Sequence, residues 1–226
     1  LGRSYRAIGN WQAAQIAFNT LIEQYPTDEL FGAALLETGR THFLNDDHDA
    51  AIARYLQVAE IYSYLEETAA QALWRAGYLY GVNGNFTDSL ATFRRLADLY
   101  PATVDARDGL FIAASAAINA GDILGAEAIY DRLATITTGD DQALVYLQIG
   151  NLAQQRGDTA KANSSLNRII ALAPDTYFSA RAQDIVAGRA PFTPPSIYQF
   201  EFDDLAEITA AEDWLKATYG ITQNSP

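Results

Sequence analysis

The chain contains no cysteine and no methionine. Without cysteine it can have no disulfide framework, no cysteine-ligated zinc site and no thiol nucleophile. Histidine is scarce as well, with two residues, so few candidates exist for general acid–base catalysis or metal binding. Because even an initiator methionine is missing, we expect the chain to be a piece of a longer or processed protein.

Positive charge is also in short supply, since 15 Lys and Arg stand against 28 Asp and Glu, for a formal net charge of −13. Such an acidic chain would repel the phosphates of nucleic acid and of anionic lipid, so we predict neither as a main partner. No run approaches the roughly 18 consecutive apolar residues of a membrane span, and the N-terminus has no apolar signal segment.

What the sequence does contain is an internal repeat. Small residues that follow an apolar or small one recur every 36 to 38 residues, at Gly2, Gly39, Gly77, Ala114 and Gly150. A turn residue follows each of them, at Gly9, Asp46, Gly84, Gly121 and Gly157. Next come a small residue (Ala14, Ala51, Ser89, Ala126, Ala162) and, four positions later, a large one (Phe18, Tyr55, Phe93, Tyr130, Leu166). Pro26, Pro101 and Pro174 close three of the five units.

This pattern resembles the tetratricopeptide repeat, a helix–turn–helix unit with a period of about 34 residues. The resemblance implies an all-α solenoid, a right-handed superhelix of antiparallel helix pairs with about five repeats, the first truncated at its start, and a C-terminal helical tail. The predicted domains are 1–188, the repeats, and 189–226, a Pro-rich linker and a helix from about Asp204 to Tyr219. Three prolines between Ala190 and Pro195 exclude a helix there.

A ligand of such a solenoid would meet the concave face formed by the first helices of the repeats. The residues predicted there are Leu36, Phe43, Trp74, Tyr78, Phe111, Ile118, Leu147 and Asn151. The alternative is that these apolar and aromatic side chains only pack inside a tightly wound superhelix, as stripes at helical spacing commonly do. In the family, a clamp for peptide carboxylates uses Lys and Asn at these places, and Asn151 alone resembles it, so we do not expect chaperone tails to bind.

No pattern predicts catalysis. Neighbouring acids such as Glu66 and Glu67 point in different directions on a helix, and no P-loop, G-x-S-x-G or H-E-x-x-H motif occurs. His42 and His48 lie near several acids, yet Asn45–Asp49 occupies the turn of its repeat and lacks the spacing of a metal loop. We therefore predict no catalytic residue, no metal and no cofactor in this chain.

The predicted function is a non-catalytic interaction or scaffold module that binds a protein or peptide. The segment Ala91–Pro101 resembles repeats of bacterial envelope proteins, which implies a larger protein of the periplasm or cell envelope, although a cytoplasmic location stays open. The alternative is the helical superhelix of a soluble lytic transglycosylase, a peptidoglycan lyase, whose catalytic domain would lie outside this chain. In that case the solenoid would position glycan strands or partner proteins.

Overall fold

The structure, a computed structural model, describes residues 1–190 and 204–220 and is helical, with no strand among those residues. The helices in chain order are α1 (Gly2–Ala7), α2 (Trp11–Gln24), α3 (Phe31–Leu44), α4 (His48–Ile61), α5 (Glu66–Val82), α6 (Phe86–Leu99), α7 (Val104–Asn119), α8 (Ile123–Ile136), α9 (Gly139–Gln155), α10 (Thr159–Leu172), α11 (Tyr177–Val186) and α12 (Asp204–Tyr219).

The chain divides into two compact units, Leu1–Ala187 and Gly188–Pro226, and each is described by itself. In the first unit α1 to α10 form five consecutive helix pairs, and α11 packs on the last pair. Each helix contacts the next one along the chain, and the first helix α5 also contacts the first helices α3 and α7 of the neighbouring pairs. This arrangement confirms the predicted all-α solenoid of about five repeats.

The turn inside each pair has one recurring design, a residue with positive φ followed by a side chain that caps the second helix. The positive-φ residues are Gly9, Asp46, Gly84, Gly121 and Gly157. The capping residues are Asn10, Asp47, Asn85, Asp122 and Asp158, and each accepts a hydrogen bond from the backbone N–H three residues on. The left-handed conformation reverses the chain, and the cap satisfies an N–H that the first helical turn leaves free.

Small residues of the first helices make room for large side chains of the second helices. A methyl group at Gly39 would lie 2.5 Å from the Tyr55 ring, and one at Gly77 would lie 2.9 Å from the Phe93 ring. Tyr55 and Phe93 are 2% and 0% exposed. The period of small and large residues in the sequence therefore reflects direct contact within each pair.

Polar contacts between residues about one repeat apart link the second helices of neighbouring pairs. Arg95 of α6 pairs with Glu60 of α4 at 2.7 Å, and Arg132 of α8 pairs with Asp98 of α6 at 2.9 Å. The hydroxyl of Tyr100 donates to the carbonyl of Ser63 at 3.1 Å. These contacts join neighbouring repeats along their second helices.

The second unit is described through residues 188–190 and helix α12. Within that helix the Trp214 and Tyr219 rings meet edge to face, with centroids 5.5 Å apart. The predicted Pro-rich linker lies largely outside the described residues, because 191–203 are not among them. In the described part of the chain we find no helix with the length and hydropathy that a membrane span requires.

Candidate functional site

A groove of about 460 Å³ lies across three first helices, α3, α5 and α7. It is lined by aromatic, cationic and anionic side chains in a small area, which distinguishes it from the apolar core beneath. The lining residues are Arg40, Phe43, Tyr55, Gln71, Trp74, Arg75, Tyr78, Leu79, Asp105 and Asp108.

A stacked aromatic pair on α5 lies at the centre of the groove. Trp74 and Tyr78 are one helical turn apart, with ring centroids separated by 5.4 Å and planes inclined by 4°. Tyr78 is 44% exposed, whereas Trp74 is half-buried. The indole N–H of Trp74 is buried and has no hydrogen-bond acceptor among the described residues, so it is a donor left unsatisfied next to the groove.

Two arginines supply positive charge on the α3 and α5 sides. The guanidinium of Arg75 lies over the Tyr55 ring, 5.8 Å from its centroid, in a cation–π contact. Burial raises the pKa of the Tyr55 hydroxyl, and the opposing effect of Arg75 is smaller. Arg40 is exposed at the rim and makes no ion pair with any residue in 1–190 or 204–220.

Two aspartates of α7 supply negative charge on the opposite side. Burial raises the pKa of the Asp105 carboxyl, and the like charges of Asp108 and Glu67 raise it further. The Asp105 backbone N–H and Arg75 act in the other direction, but the pKa remains above its ordinary value. The ionised form of Asp105 is therefore disfavoured by its neighbours in the folded protein.

A second cavity of about 830 Å³ continues from this side between the beginnings of α5 and α7. Gln71 and Asp105 line both cavities, so the two form one continuous surface. The second cavity adds Glu66 and Glu67 to the acidic residues. The combined groove is thus basic beside α3, aromatic in its middle and acidic at the α7 side.

Two models of the tetratricopeptide repeat match the sequence, one over residues 1–66 and 74–141 and the other over 144–176. These matches cover well over half of the chain. The chain belongs to the tetratricopeptide repeat family. Its repeats are therefore those of an interaction module, which binds protein or peptide partners, as the sequence predicted.

Comparisons with individual proteins give similarity at low identity. MamA is 16% identical, with 83% of this chain and 97% of MamA covered and a TM-score of 0.46. A tetratricopeptide repeat protein from Parabacteroides merdae ATCC 43184 is 14% identical, with coverages of 96% and 76% and a TM-score of 0.46. YrrB, described as a tetratricopeptide repeat protein with an unusual peptide-binding site, is 14% identical, with coverages of 81% and 88% and a TM-score of 0.42. No curated protein matches at a significant level.

None of these findings favours the resemblance to lytic transglycosylases. The matching models describe the repeat alone and extend to residue 176. The assignment to the repeat family does not depend on that second resemblance.

The structure brings three of the predicted tetratricopeptide site residues together, because Phe43, Trp74 and Tyr78 all line the groove. The other five lie elsewhere on the first helices. Phe111 and Ile118 are partly buried against the core, Leu36 and Leu147 are 8% and 7% exposed, and Asn151 is exposed. The predicted set of eight binding residues stays a prediction. Two of the three members that line the groove, Trp74 and Tyr78, belong to α5.

Sequence reasoning missed the polar residues of the groove, namely Arg40, Gln71, Arg75, Asp105 and Asp108. A signal existed for part of this set. Arg40 occupies the same repeat position as Tyr78, one residue after the small glycine, and Gln71 lies on the same face of α5 as Trp74 and Tyr78. The two aspartates belong to the next repeat, and their position beside α5 follows from the stacking of α7 on it.

The two histidines lie in the turn region of the second repeat. His48 shares a hydrogen bond of 2.8 Å with the side-chain oxygen of Asn83 and lies 3.7 Å from Asp46. Residues 1–190 and 204–220 contain no group of three or more His, Asp or Glu side chains arranged to hold a metal ion. His48 instead links the turns of neighbouring repeats.

Proposed function

We propose that this chain is a non-catalytic interaction module whose groove across α3, α5 and α7 holds an extended segment of a partner protein. The observation that carries the proposal is the stacked pair of Trp74 and Tyr78, which presents aromatic surface between charged side chains. Tryptophan, tyrosine and arginine are the residues that most often dominate the binding energy of protein interfaces.

The dimensions of the groove support a peptide as the ligand. Its volume of about 460 Å³ lies within the usual range of ligand sites, roughly 300–1,000 Å³. The continuation between α5 and α7 lengthens it, which suits an extended chain better than a compact small molecule.

The proposal is tested by selecting binders from a displayed library of random 12-residue peptides and measuring the affinity of the enriched peptides by isothermal titration. Tyr78→Ala and Trp74→Ala should each weaken binding by about tenfold or more, the loss typical of a dominant interface aromatic. Tyr64→Ala is the control, because Tyr64 is 72% exposed and lies outside the groove.

Two results would overturn the proposal. One is a failure of the library to yield any peptide that binds the folded chain, and the other is equal affinity of the wild type and Tyr78→Ala. Circular dichroism decides whether each variant is folded, and if Trp74→Ala unfolds, that residue is part of the core. Tyr78→Ala then carries the test.

The absence of catalysis and the cellular location belong to the same proposal. Turnover of purified peptidoglycan by the isolated chain would contradict a non-catalytic role. The location in a bacterial cell envelope is supported by the resemblance of Ala91–Pro101 to envelope repeats, and fractionation of cells that express the protein tests it.

A further inference from the structure

The acidic side of the groove carries negative charge that the protein itself does not neutralise. Glu66, Glu67, Asp105 and Asp108 lie around the joined cavities at the beginnings of α5 and α7. None of the four forms an ion pair with another residue in the described ranges 1–190 and 204–220. Two cations, Arg40 and Arg75, line the same cavity, and Arg75 already lies over the Tyr55 ring.

Two buried acids elsewhere in the solenoid have cationic partners. Glu37 is 7% exposed and contacts both Arg3 and Arg6. Glu127 is 5% exposed and contacts both Arg156 and Lys161. Each of these carboxylates thus has two cations, whereas Asp105 has two further acids beside it. Asp105 is half-buried, whereas Glu66, Glu67 and Asp108 are exposed. A half-buried carboxylate without an ion pair is unfavourable for folding, and its position in a groove suits a ligand that supplies the opposite charge.

The aromatic pair determines what kind of cation fits. Lysine and arginine side chains combine an apolar stem with a charged end, and the stem packs well on aromatic faces. A stem on Trp74 or Tyr78 would bring the charged end toward the aspartates that line the same cavity. There it would form a cation–π contact with the rings and charge-assisted hydrogen bonds with the carboxylates.

From this arrangement we infer that the groove selects a partner segment bearing lysine or arginine, whose cation binds Asp105 and Asp108 while its stem packs on Trp74 and Tyr78. This inference rests on the proposed peptide-binding function and names the chemistry of its ligand. The net charge of −13 acts in the same direction, because it attracts basic partners before contact.

The test uses the peptides that the library selection enriches. We expect them to carry Lys or Arg, and replacement of that residue by Gln should weaken binding by about tenfold, as the loss of a charge-assisted contact does. The double variant Asp105→Asn, Asp108→Asn should lose affinity for the basic peptide by a similar factor. The same variant should bind the Gln peptide as the wild type does, and rising salt should weaken the basic peptide alone.

Asp49→Asn is the matched control. Asp49 is the second residue of α4, as Asp105 is the second residue of α7, so both substitutions remove the same favourable interaction with a helix N-terminus. Asp49 does not line the groove, and its substitution should leave peptide affinity unchanged.

The outcomes separate the two proposals. Enriched peptides that lack a basic residue, or that tolerate Lys→Gln, would overturn the inference and leave the peptide groove intact. Peptides whose binding is insensitive to Tyr78→Ala would overturn both. Equal losses of affinity in the Asp49→Asn variant and in the Asp105→Asn, Asp108→Asn variant would also overturn the inference, because the effect would then be one of general charge.

Discussion

Phe93 is held between two glycines, and this contact leads to a sharp prediction about how the repeats stack. Its ring is 0% exposed. A methyl group at Gly77 of α5 would lie 2.9 Å from the ring, and one at Gly109 of α7 would lie 2.3 Å from it. The ring therefore cannot retreat from a methyl group on one side without meeting the helix on the other.

We predict that Gly109→Ala destabilises the protein even though it improves helix propensity. Gly109 lies inside α7, where alanine is favoured over glycine by about 1 kcal/mol. Overpacking a filled core costs about 1–3 kcal/mol, and a 2.3 Å approach to an immobile ring lies near the upper end. The expected net loss in the free energy of unfolding is about 1–2 kcal/mol.

The measurement is urea denaturation followed by circular dichroism, arranged as a double-mutant cycle with Phe93→Leu. In the Phe93→Leu background the ring is gone, so Gly109→Ala should become neutral or stabilising. The coupling between the two sites should be about 1–2 kcal/mol. Gly81→Ala in α5 is the control, because its methyl group would lie 3.3 Å from the Ser89 hydroxyl oxygen and should be tolerated.

Stabilisation of the wild type by Gly109→Ala would refute the reasoning, since helix propensity alone would then decide the outcome. A coupling near zero would refute it as well. Either result would mean that the Phe93 ring does not determine how closely α7 approaches α5.

Four further substitutions concern charge and turns. Glu37→Gln should lower stability at pH 7 by about 2–3 kcal/mol, less than for a fully buried pair because Arg6 lies in the short terminal helix α1. Burial raises the pKa of Glu37, but Arg6 and Arg3 outweigh burial and lower it. The stability from this carboxylate is therefore present at neutral pH and is lost as pH falls through the lowered pKa, so the deficit of the variant in urea denaturation should shrink in acid. Gly121 has a φ of +77°, where a Cβ is disfavoured, so Gly121→Ala should lower the free energy of unfolding by about 1 kcal/mol. Asp46 has a φ of +62°, so Asp46→Gly should raise the stability for the same reason, and thermal unfolding measures both changes. Asp105→Asn should raise the urea midpoint at pH 7, because the raised pKa disfavours the ionised folded form there, and the gain should vanish in acid.

The fold was predictable because the same physical requirement recurs in every repeat. A large side chain on the second helix needs a small residue opposite it, so Gly39 with Tyr55 and Gly77 with Phe93 recur in register. Turn residues with positive φ and their capping neighbours recur in the same way. The residues in these contacts and turns belong to one repeat and are separated by about sixteen positions or fewer. A repeated sequence pattern therefore reveals them.

The groove was only partly predictable, because its charges meet across repeats. Trp74 and Tyr78 were accessible to helical periodicity, and the structure places them in the groove. Asp105 lies beside them because α7 stacks on α5, and no property of Asp105 in the sequence distinguishes it from Asp49 in the same helical position. Leu147 shares the repeat position of Trp74 but is buried among side chains near α10 and α11, so equal register does not ensure equal exposure.

The polar links between repeats bear directly on the proposed binding. The Glu60–Arg95 pair joins α4 to α6, and the Phe93 ring of α6 lies between Gly77 of α5 and Gly109 of α7. Both contacts lie outside the groove and join helices that pack against its walls. A site that is already ordered loses little conformational entropy when a ligand binds. More of the free energy from its contacts then contributes to affinity. Arg95 does not line the groove, yet Arg95→Ala should weaken peptide binding there, because the variant loses the link between α4 and α6. Unchanged peptide affinity in that variant would show that the first helices hold the groove open without this link.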